Sequence, residues 1–495
     1  MLYKKHLTHQ AIFFHRQAWV FFGIYVLARV LSFTTFTSTF AQGTIVFCAV
    51  MTLGILFFKK PQWALSLILI ELFLGGSGHL FELGGLAIRS VFLLVFSLLY
   101  IIYTLTKKNK WHNFSIPHIL FYTIIGMCCY VVLTTTNGVL QGNTLVAALQ
   151  DLVPFLFFAL LPPMFHLMQD KKGQEFFLRL CVVSVFCTAL FSLCNEILFS
   201  SGAAIIHDHY YSWFRDVLMG KVTNMYTGFF RIVLPEHIFA IVALIISTSL
   251  VMKKEKHHVL WYGIILASSI ILVLNLSRAY ILGALIGLLP LYYRRDLLRY
   301  IGIVFAVTIT MILSFFVTHF IASGGTSFGQ TLFFDRAASI LHPETEQSTY
   351  TRTTLLDPIQ RKISQAPFFG SGLGSTIRFQ PPNSSKIVTT RQFDWGYLEI
   401  IAELGFVGLG IFFFFLSSLL YTLVTHIKKT KEFHGLYVGI LGVLVSLLFI
   451  EIFTPIFTHV LGIFFLTLCC VLVTQKHTPL DIIVNYFYRL FRRTT

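Results

Sequence analysis

The chain has 495 residues, of which 56% are hydrophobic and only 12% are charged, and this composition excludes a water-soluble protein of its size. The formal net charge of +16 would suggest a nucleic-acid partner for a soluble protein, but in a membrane protein such cations first report topology. The sequence therefore predicts an all-α polytopic membrane protein that binds membrane lipids and no nucleic acid.

Candidate spans follow from hydropathy, because a helix needs roughly 20 apolar residues to cross about 30 Å of hydrocarbon. About 12–14 transmembrane helices are predicted on this measure, with fourteen preferred. The second and third candidates are short enough to form a re-entrant pair, and the tenth is also short. The candidates are 19–38, 43–58, 61–77, 88–106, 116–135, 148–168, 177–199, 232–252, 259–276, 279–293, 300–320, 395–425, 435–452 and 456–474.

Topology follows from the basic residues, which concentrate in every second connection, as at Lys59 and Lys60 or Arg294 and Arg295. Cations near span ends are preferentially retained in the cytoplasm, so both termini are predicted to be cytoplasmic. The two long connections then lie on the extracytoplasmic side, where function is expected to concentrate.

Six parts are predicted along the chain, and no internal repeat relates its two halves. They are N-terminal transmembrane helices (1–199), an extracytoplasmic loop (200–231), central transmembrane helices (232–320), a large periplasmic loop between the eleventh and twelfth spans (321–394), C-terminal transmembrane helices (395–474) and a basic cytoplasmic tail (475–495).

Several cations on the outer side are not explained by topology, and two of them stand out. Arg278 lies in a very short connection between two apolar spans, and Arg231 lies at the mouth of a span that begins Pro-Glu236-His. Charges at membrane depth are costly, and the guanidinium fork matches phosphate oxygens. Alternatively, these arginines contact lipid phosphates or pair with a carboxylate such as Glu236.

Three other charged residues at membrane depth, Arg29, Glu71 and Glu451, are expected to be structural and to pair with each other or with neighbours. All eight cysteines fall within apolar stretches, so neither a disulfide framework nor a zinc site is predicted. We expect no metal and no cofactor.

The large loop carries Arg352, then a helical stretch to Arg361, then glycines at 370, 372 and 374. Such glycines permit positive φ, and their N–H groups could meet an anionic oxygen. By itself a Gly-x-Gly-x-Gly run is more often only a loop, and its spacing does not match a nucleotide-binding loop.

Carboxylates mark the point where this loop enters the twelfth span. Asp394 precedes the helix, and Glu399 and Glu403 share one of its faces because they are four residues apart. A carboxylate at this position could accept a proton from a sugar hydroxyl. In the alternative interpretation, Glu399 and Glu403 clamp the loop by pairing with Arg352 or Arg361.

As a series, Arg352, Pro-x-x-Gly-x-Gly-x-Gly374 and Asp394-Trp-Gly-Tyr-Leu-Glu-Ile-Ile-Ala-Glu-Leu-Gly-Phe-Val-Gly resemble the O-antigen ligase and O-antigen polymerase superfamily. The similarity covers about residues 225–425. Ser277-Arg278 is similar to the Ser-Arg element that opens a span in that family.

The resemblance implies a metal-independent, inverting C-type glycosyltransferase in the bacterial inner membrane, acting on a glycan linked to undecaprenyl pyrophosphate. Arg231, Arg278 and Arg352 would bind the pyrophosphate, with Arg278 catalytic as it leaves. Asp394 or Glu399 would orient or deprotonate the acceptor hydroxyl. The expected substrate loop comprises Gly370, Gly372, Gly374, Arg361 and Tyr397.

One departure from the family bears on the reaction. Ligases of this group typically have a histidine where this chain has Asp394, and Asp followed by Trp-Gly-Tyr-Leu is similar to repeat-unit polymerases. The resemblance therefore favours a polymerase of O-antigen, capsule or exopolysaccharide units over a ligase that transfers glycan to lipid A-core. The acceptor would be a lipid-linked repeat or lipid A-core, and a chain-length regulator would be a further partner.

Two other classes remain as alternatives. A lipid-linked oligosaccharide flippase should have two related halves and short loops, whereas this chain has one dominant outer loop. A membrane O-acyltransferase needs an intramembrane histidine, but His319 and His459 have no neighbouring pattern and are expected to be packing or interfacial residues.

Overall fold

The structure is a computed structural model that describes residues 16–106, 116–169, 171–202, 208–225, 228–253, 258–292, 296–341, 347–380, 386–429 and 434–474. The predicted basic tail, 475–495, and the basic residues Arg294 and Arg295 lie outside the described residues. The regular secondary structure of these residues is helical apart from three antiparallel two-stranded hairpins.

Fourteen apolar helices correspond one to one with the fourteen predicted spans. They are α1 (Arg16–Thr35), α2 (Thr39–Lys59), α3 (Pro61–Leu74), α4 (Ile88–Thr106), α5 (His118–Leu140), α6 (Leu145–Met168), α7 (Lys171–Ser200), α8 (Ile238–Met252), α9 (His258–Asn275), α10 (Arg278–Leu288), α11 (Leu297–Ala322), α14 (Gly396–Lys429), α15 (His434–Ile450) and α16 (Val460–Thr474). Nine of these described helices are long and apolar enough to cross a membrane, and α3, α9, α10, α15 and α16 are shorter. The predicted all-α polytopic membrane fold is confirmed.

Two further helices and three hairpins occupy the connections. The largest connection contains α12 (Gln330–Leu341), α13 (Gln347–Gln365) and the hairpin of β5 (Ile377–Phe379) with β6 (Val388–Thr390). The other long connection contains a short helical segment, Asp208–Ser212, which continues as a π-helical turn, Trp213–Val217. The hairpin of β3 (Lys221–Asn224) with β4 (Phe230–Val233) follows it, and a small hairpin of β1 (Glu82–Leu83) with β2 (Leu86–Ala87) precedes α4.

Helix packing defines the direction of the bundle. A Cβ atom on Gly283 of α10 would come within 2.4 Å of Ile450, and one on Gly287 within 2.8 Å of the Gly442 carbonyl oxygen. Small residues permit this close approach of two membrane helices. Helices α10 and α15 are therefore antiparallel, and Arg278 lies at the same end of the bundle as the C-terminus of α15.

Both long connections lie at this end, which we call the loop end. The Arg231 Nε donates to the Asn275 carbonyl oxygen at 2.7 Å, and the Gly396 N–H donates to the Glu451 carbonyl oxygen at 3.0 Å, just beyond α15. At the opposite end, which we call the basic end, Arg299 Nη2 donates to the Val251 carbonyl oxygen at 3.4 Å. The unexplained arginines thus lie opposite the basic connections.

Burial separates an inner from an outer layer of helices. In the most apolar window of the segment Pro235–Met252, which includes α8, 78% of residues are buried, whereas in that of α2 only 22% are. A helix that is apolar on all sides must face either protein or lipid. The outer helices therefore present their exposed apolar residues to the bilayer, while the inner ones carry the polar groups of the loop end.

Candidate functional site

The turn between α9 and α10 places Arg278. Helix α9 ends at Asn275, Leu276 has a left-handed φ of 46°, and Ser277 is the N-cap residue before Arg278. A left-handed backbone costs a residue with a Cβ atom about 1–2 kcal/mol. The surrounding structure must therefore hold this turn, and with it the first residue of α10.

Arg231 is fixed to the same turn. The N–H of the preceding residue, Phe230, donates to Glu196 Oε1 of α7 at 2.8 Å, which secures β4 to the bundle. The bond from Arg231 Nε to the Asn275 carbonyl oxygen then ties the side chain to the end of α9. Arg231 and Arg278 are thus held by one short segment, which we call the arginine turn, 275–278.

Buried ion pairs support this region from the N-terminal helices. Glu236, considered above as a partner of Arg231, pairs with Arg29 at 2.9 Å, and both side chains are buried. Glu71 pairs with Arg89 at 2.6 Å, also in the interior. The prediction that Arg29 and Glu71 pair with neighbouring charged residues is confirmed.

The glycine run engages its N–H groups within the protein. Five successive N–H groups donate to protein acceptors: Gly370 to the Ala366 carbonyl, Ser371 to the Ala402 carbonyl, Gly372 to the Glu403 carbonyl, Leu373 to the Thr134 carbonyl and Gly374 to Asp151 Oδ2. A Cβ atom on Gly372 would lie 2.1 Å from Gly138 Cα. The run therefore seals the loop against α5, α6 and α14, and any contact with a substrate would come from other atoms of the loop.

A break in α14 receives this loop. Gly405 has a φ of 72°, and beyond it the Phe406 N–H donates to the Pro367 carbonyl at 2.9 Å and the Val407 N–H to the Phe368 carbonyl at 3.0 Å. A helix break exposes N–H and carbonyl groups that need partners, and the loop supplies them. The loop therefore bonds α14 on both sides of the break, through the Ala402 and Glu403 carbonyls before it and the Phe406 and Val407 N–H groups after it.

The carboxylates of this segment are buried. Glu399 Oε1 accepts a hydrogen bond from Thr458 Oγ1 at 2.6 Å, and Glu403 is 5% exposed. The hypothesis that Glu399 clamps the loop by pairing with Arg361 is therefore wrong. Glu399 bonds Thr458 instead, and Arg361 pairs with Asp357 on its own helix. Glu451, expected to be structural, accepts N–H bonds from residues 456 and 457 at 2.7 and 3.0 Å, which caps the turn before α16.

Asp151 is a site residue that sequence reasoning missed. Its carboxylate accepts a hydrogen bond from the Gly374 N–H at 3.0 Å and lies 3.7 Å from Arg391 Nη1, so it joins the two ends of the β5–β6 segment to α6. A lone acidic residue inside an apolar span was the available signal. Its partners lie more than 200 residues away along the chain, and hydropathy does not identify them.

Asp394 and Arg352 lie where α13 meets α14. Asp394 has a left-handed φ of 56°, and among the described residues no hydrogen bond reaches its half-exposed carboxylate. Its neighbour Trp395 donates from Nε1 to the Arg352 carbonyl oxygen at 3.0 Å and lies against Phe453 with ring centroids 6.3 Å apart. We call this region, from Arg352 on α13 to the first segment of α14 and the break at Gly405, the α13–α14 junction.

The remaining predicted loop residues are distributed around the junction. The Tyr397 hydroxyl donates to the Leu448 carbonyl oxygen at 2.9 Å, and Arg361 is exposed in its pair with Asp357. Lys362, next along the chain, is half-buried; burial lowers its pKa, and the Glu403 carboxylate partly opposes that shift.

Helix α15 connects the two halves of the site. It packs against α10, which begins with Arg278, and its C-terminal end meets Gly396 and Trp395 of the junction. The predicted pyrophosphate-binding arginines, Arg231, Arg278 and Arg352, thus all lie at the loop end, two at the arginine turn and one at the junction. Their roles remain predictions.

His319, considered as an acyltransferase residue, packs in the interior. Its ring stacks on Phe229 with centroids 5.3 Å apart, and its Nδ1 lies 3.1 Å from the Ser327 carbonyl oxygen. His459 has an exposed side chain just before α16. The packing role predicted for His319 is confirmed.

Fold and site together define a polytopic membrane protein whose arginines and carboxylates gather at one end of the bundle. Residues 263–413 match the family described as O-antigen ligase, from α9 through the break in α14. The match supports the O-antigen ligase and polymerase superfamily, a group of glycosyltransferase-like enzymes, and the predicted resemblance is confirmed. Arg278, Arg352 and Asp394 lie within the match and Arg231 lies before it. No curated protein and no solved structure matches the chain significantly.

Proposed function

We propose that this protein is a bacterial inner-membrane glycosyltransferase that acts, at the extracytoplasmic face, on glycans linked to undecaprenyl pyrophosphate. One observation carries the proposal: arginines of the segment that matches the O-antigen ligase family lie at the loop end, opposite the basic connections. Basic connections favour the cytoplasmic side, so the loop end faces outward.

In this mechanism the arginines stabilise the leaving group. The acceptor hydroxyl oxygen attacks the anomeric carbon, the bond from that carbon to the pyrophosphate oxygen breaks, and undecaprenyl pyrophosphate departs with the electron pair. Arg231, Arg278 and Arg352 neutralise the charge that develops on the phosphate oxygens, and need no metal to do so. Attack from the face opposite the leaving group inverts the anomeric centre.

A carboxylate of the junction receives the proton from the acceptor hydroxyl. Asp394 is the first candidate, because it is half-exposed and no hydrogen bond from the described residues occupies its carboxylate. Glu399 is buried and bonded to Thr458, so it is better suited to orient the acceptor or the junction. A general base must reach the proton that it removes, which favours the accessible group.

The test replaces the arginines one at a time and together. Arg278→Ala and Arg352→Ala should abolish glycan transfer while the protein stays at normal abundance in the membrane, measured by immunoblotting and by polysaccharide gels. Arg215→Ala is the control, because Arg215 is an exposed cation of the outer connection that pairs with Asp216 at 2.7 Å. Normal product from the double arginine variant would refute the proposal.

We further propose a polymerase, because Asp394-Trp occupies the position where ligases have histidine. The second candidate is an O-antigen ligase, which the description of the matched family favours. Deletion of the gene separates them: a lipid core capped by one repeat unit indicates a polymerase, and long polymer retained on the carrier lipid indicates a ligase. Polymer made by purified protein in detergent would exclude a flippase.

A further inference from the structure

His237, for which no role was predicted from the sequence, has both ring nitrogens engaged in the interior. Nδ1 lies 3.1 Å from Asn275 Nδ2, and Nε2 lies 2.9 Å from Ser192 Oγ, with the side chain fully buried. An amide nitrogen can only donate, so Nδ1 accepts and Nε2 carries the proton. The two bonds hold the ring in one tautomer and one orientation.

Asn275 joins this histidine to both arginines. Its side chain bonds His237, its backbone carbonyl accepts the bond from Arg231 Nε at 2.7 Å, and three residues later the chain reaches Arg278. A displacement of Asn275 would therefore move Arg231 and Arg278 together.

We propose that His237 is a positioning residue which, through Asn275, sets the spacing of Arg231 and Arg278 for the diphosphate of the donor. The inference rests on the proposed function and adds a residue that does not itself touch substrate. The left-handed backbone at Leu276 supports it, because a strained turn persists only where neighbours hold it. Asn275, whose side chain bonds His237, is the residue directly before Leu276.

The histidine is itself anchored to the N-terminal helices. Ser192 belongs to α7, and the adjacent Glu236 pairs with the buried Arg29 of α1 at 2.9 Å. Rigid support of this kind keeps binding groups within the small tolerance that diphosphate recognition requires. Helices outside the segment that matches the family thus contribute to the geometry of Arg278, which lies within it.

Two conservative substitutions separate the two bonds of the ring. His237→Asn places an amide acceptor near the position of Nδ1 and can keep the bond to Asn275, whereas His237→Gln reaches the position of Nε2 and keeps only the bond to Ser192. We expect His237→Gln to impair the protein and His237→Asn to rescue it. Ser192→Ala, which removes only the outer bond, is the matched control.

The probe is farnesyl diphosphate, titrated into the purified full-length protein in detergent. We expect His237→Gln to weaken its binding about tenfold, because small misplacements of binding groups have effects of this order, and His237→Asn to remain within about threefold of the natural protein. Melting temperatures of all variants, measured in the same detergent, show whether each one is folded. Equal loss in His237→Asn and His237→Gln at equal melting temperatures would overturn the proposal.

A double-mutant cycle distinguishes positioning from general support. If His237 acts by spacing Arg231 and Arg278, then the loss of binding in the double variant His237→Gln Arg231→Ala should be smaller than the product of the two single losses. Independent, multiplicative losses would contradict the inference and leave the proposed function intact. Unchanged binding in both Arg231→Ala and Arg278→Ala would instead contradict the proposed function itself.

Discussion

The arginine turn and the α13–α14 junction are held in place by different kinds of hydrogen bonds. Side chains hold the turn and the strand beside it: His237 bonds Asn275 of the turn, and Glu196 secures β4, which carries Arg231. Main-chain bonds between the glycine run and the break at Gly405 hold the junction. Substitutions at the turn should therefore change function with the fold intact, whereas substitutions in the junction's backbone should damage the fold itself.

The largest effect is expected at the break. In Gly405→Ala the new Cβ would lie 2.2 Å from the Phe368 carbonyl oxygen at a φ of 72°. Overlap and backbone strain together should destabilise the protein by about 3 kcal/mol, enough to lower its melting temperature and yield. Fluorescence-detected size-exclusion chromatography measures both. Gly410→Ala, in the same helix with no atom within 4 Å of the new Cβ, is the control and should behave as the natural protein.

Next in size is the loss of a guanidinium at the turn. Arg278→Ala should reduce transfer roughly 100- to 1000-fold, the range seen when one stabilising donor is removed from a transition state. Arg278→Lys keeps the charge but loses the fork of guanidinium donors, so its transfer activity should fall between those of Arg278→Ala and the natural protein. Transfer is measured with lipid-linked glycan extracted from a deletion strain. A melting temperature that falls with activity in both variants would contradict the distinction between turn and junction.

Within the junction, Asp394 and Glu399 are expected to differ in their contribution to transfer. Asp394→Asn should reduce transfer about 100-fold if Asp394 is the base, because general-base catalysis contributes at least this much. Glu399→Gln can keep the hydrogen bond with Thr458 and should have a smaller effect. The same glycan-transfer assay compares them. The reverse order of the two losses would identify Glu399 as the base.

A smaller effect is expected at the partner of Glu399. Thr458→Val removes the hydroxyl that donates to Glu399 Oε1 at 2.6 Å and should cost about 1 kcal/mol, the typical contribution of one hydrogen bond. Thermal unfolding in detergent measures the change, and Thr458→Ser, which restores a hydroxyl, is the control. An unchanged melting temperature in Thr458→Val would show that this bond does not stabilise the junction.

The spans were predictable because each depends on a local property, the hydropathy of a continuous stretch. Arg278 and Arg352 were found for a similar reason, since a cation outside the basic connections is visible in the sequence. The partners of these residues were not predictable: Arg29 and Glu236 are 207 positions apart, and Gly374 and Asp151 are 223 apart. Pairings at such separations depend on helix packing, which composition and spacing do not specify.

The glycine run shows where a local pattern is insufficient. Its positive φ angles were expected, and Gly370, Gly372 and Gly374 all have them. The acceptors of their N–H groups were not expected, because they come from a break in α14 that lies inside an apolar stretch and leaves no mark on hydropathy. A helix that is continuous in hydropathy can therefore be interrupted in its backbone.

That interruption has a mechanical consequence. Since the loop bonds the α14 backbone both before and after Gly405, it bridges the break and joins the two parts of the helix. Any displacement of the loop would therefore be transmitted through these bonds to α14 and would shift Glu399 and the adjoining Asp394.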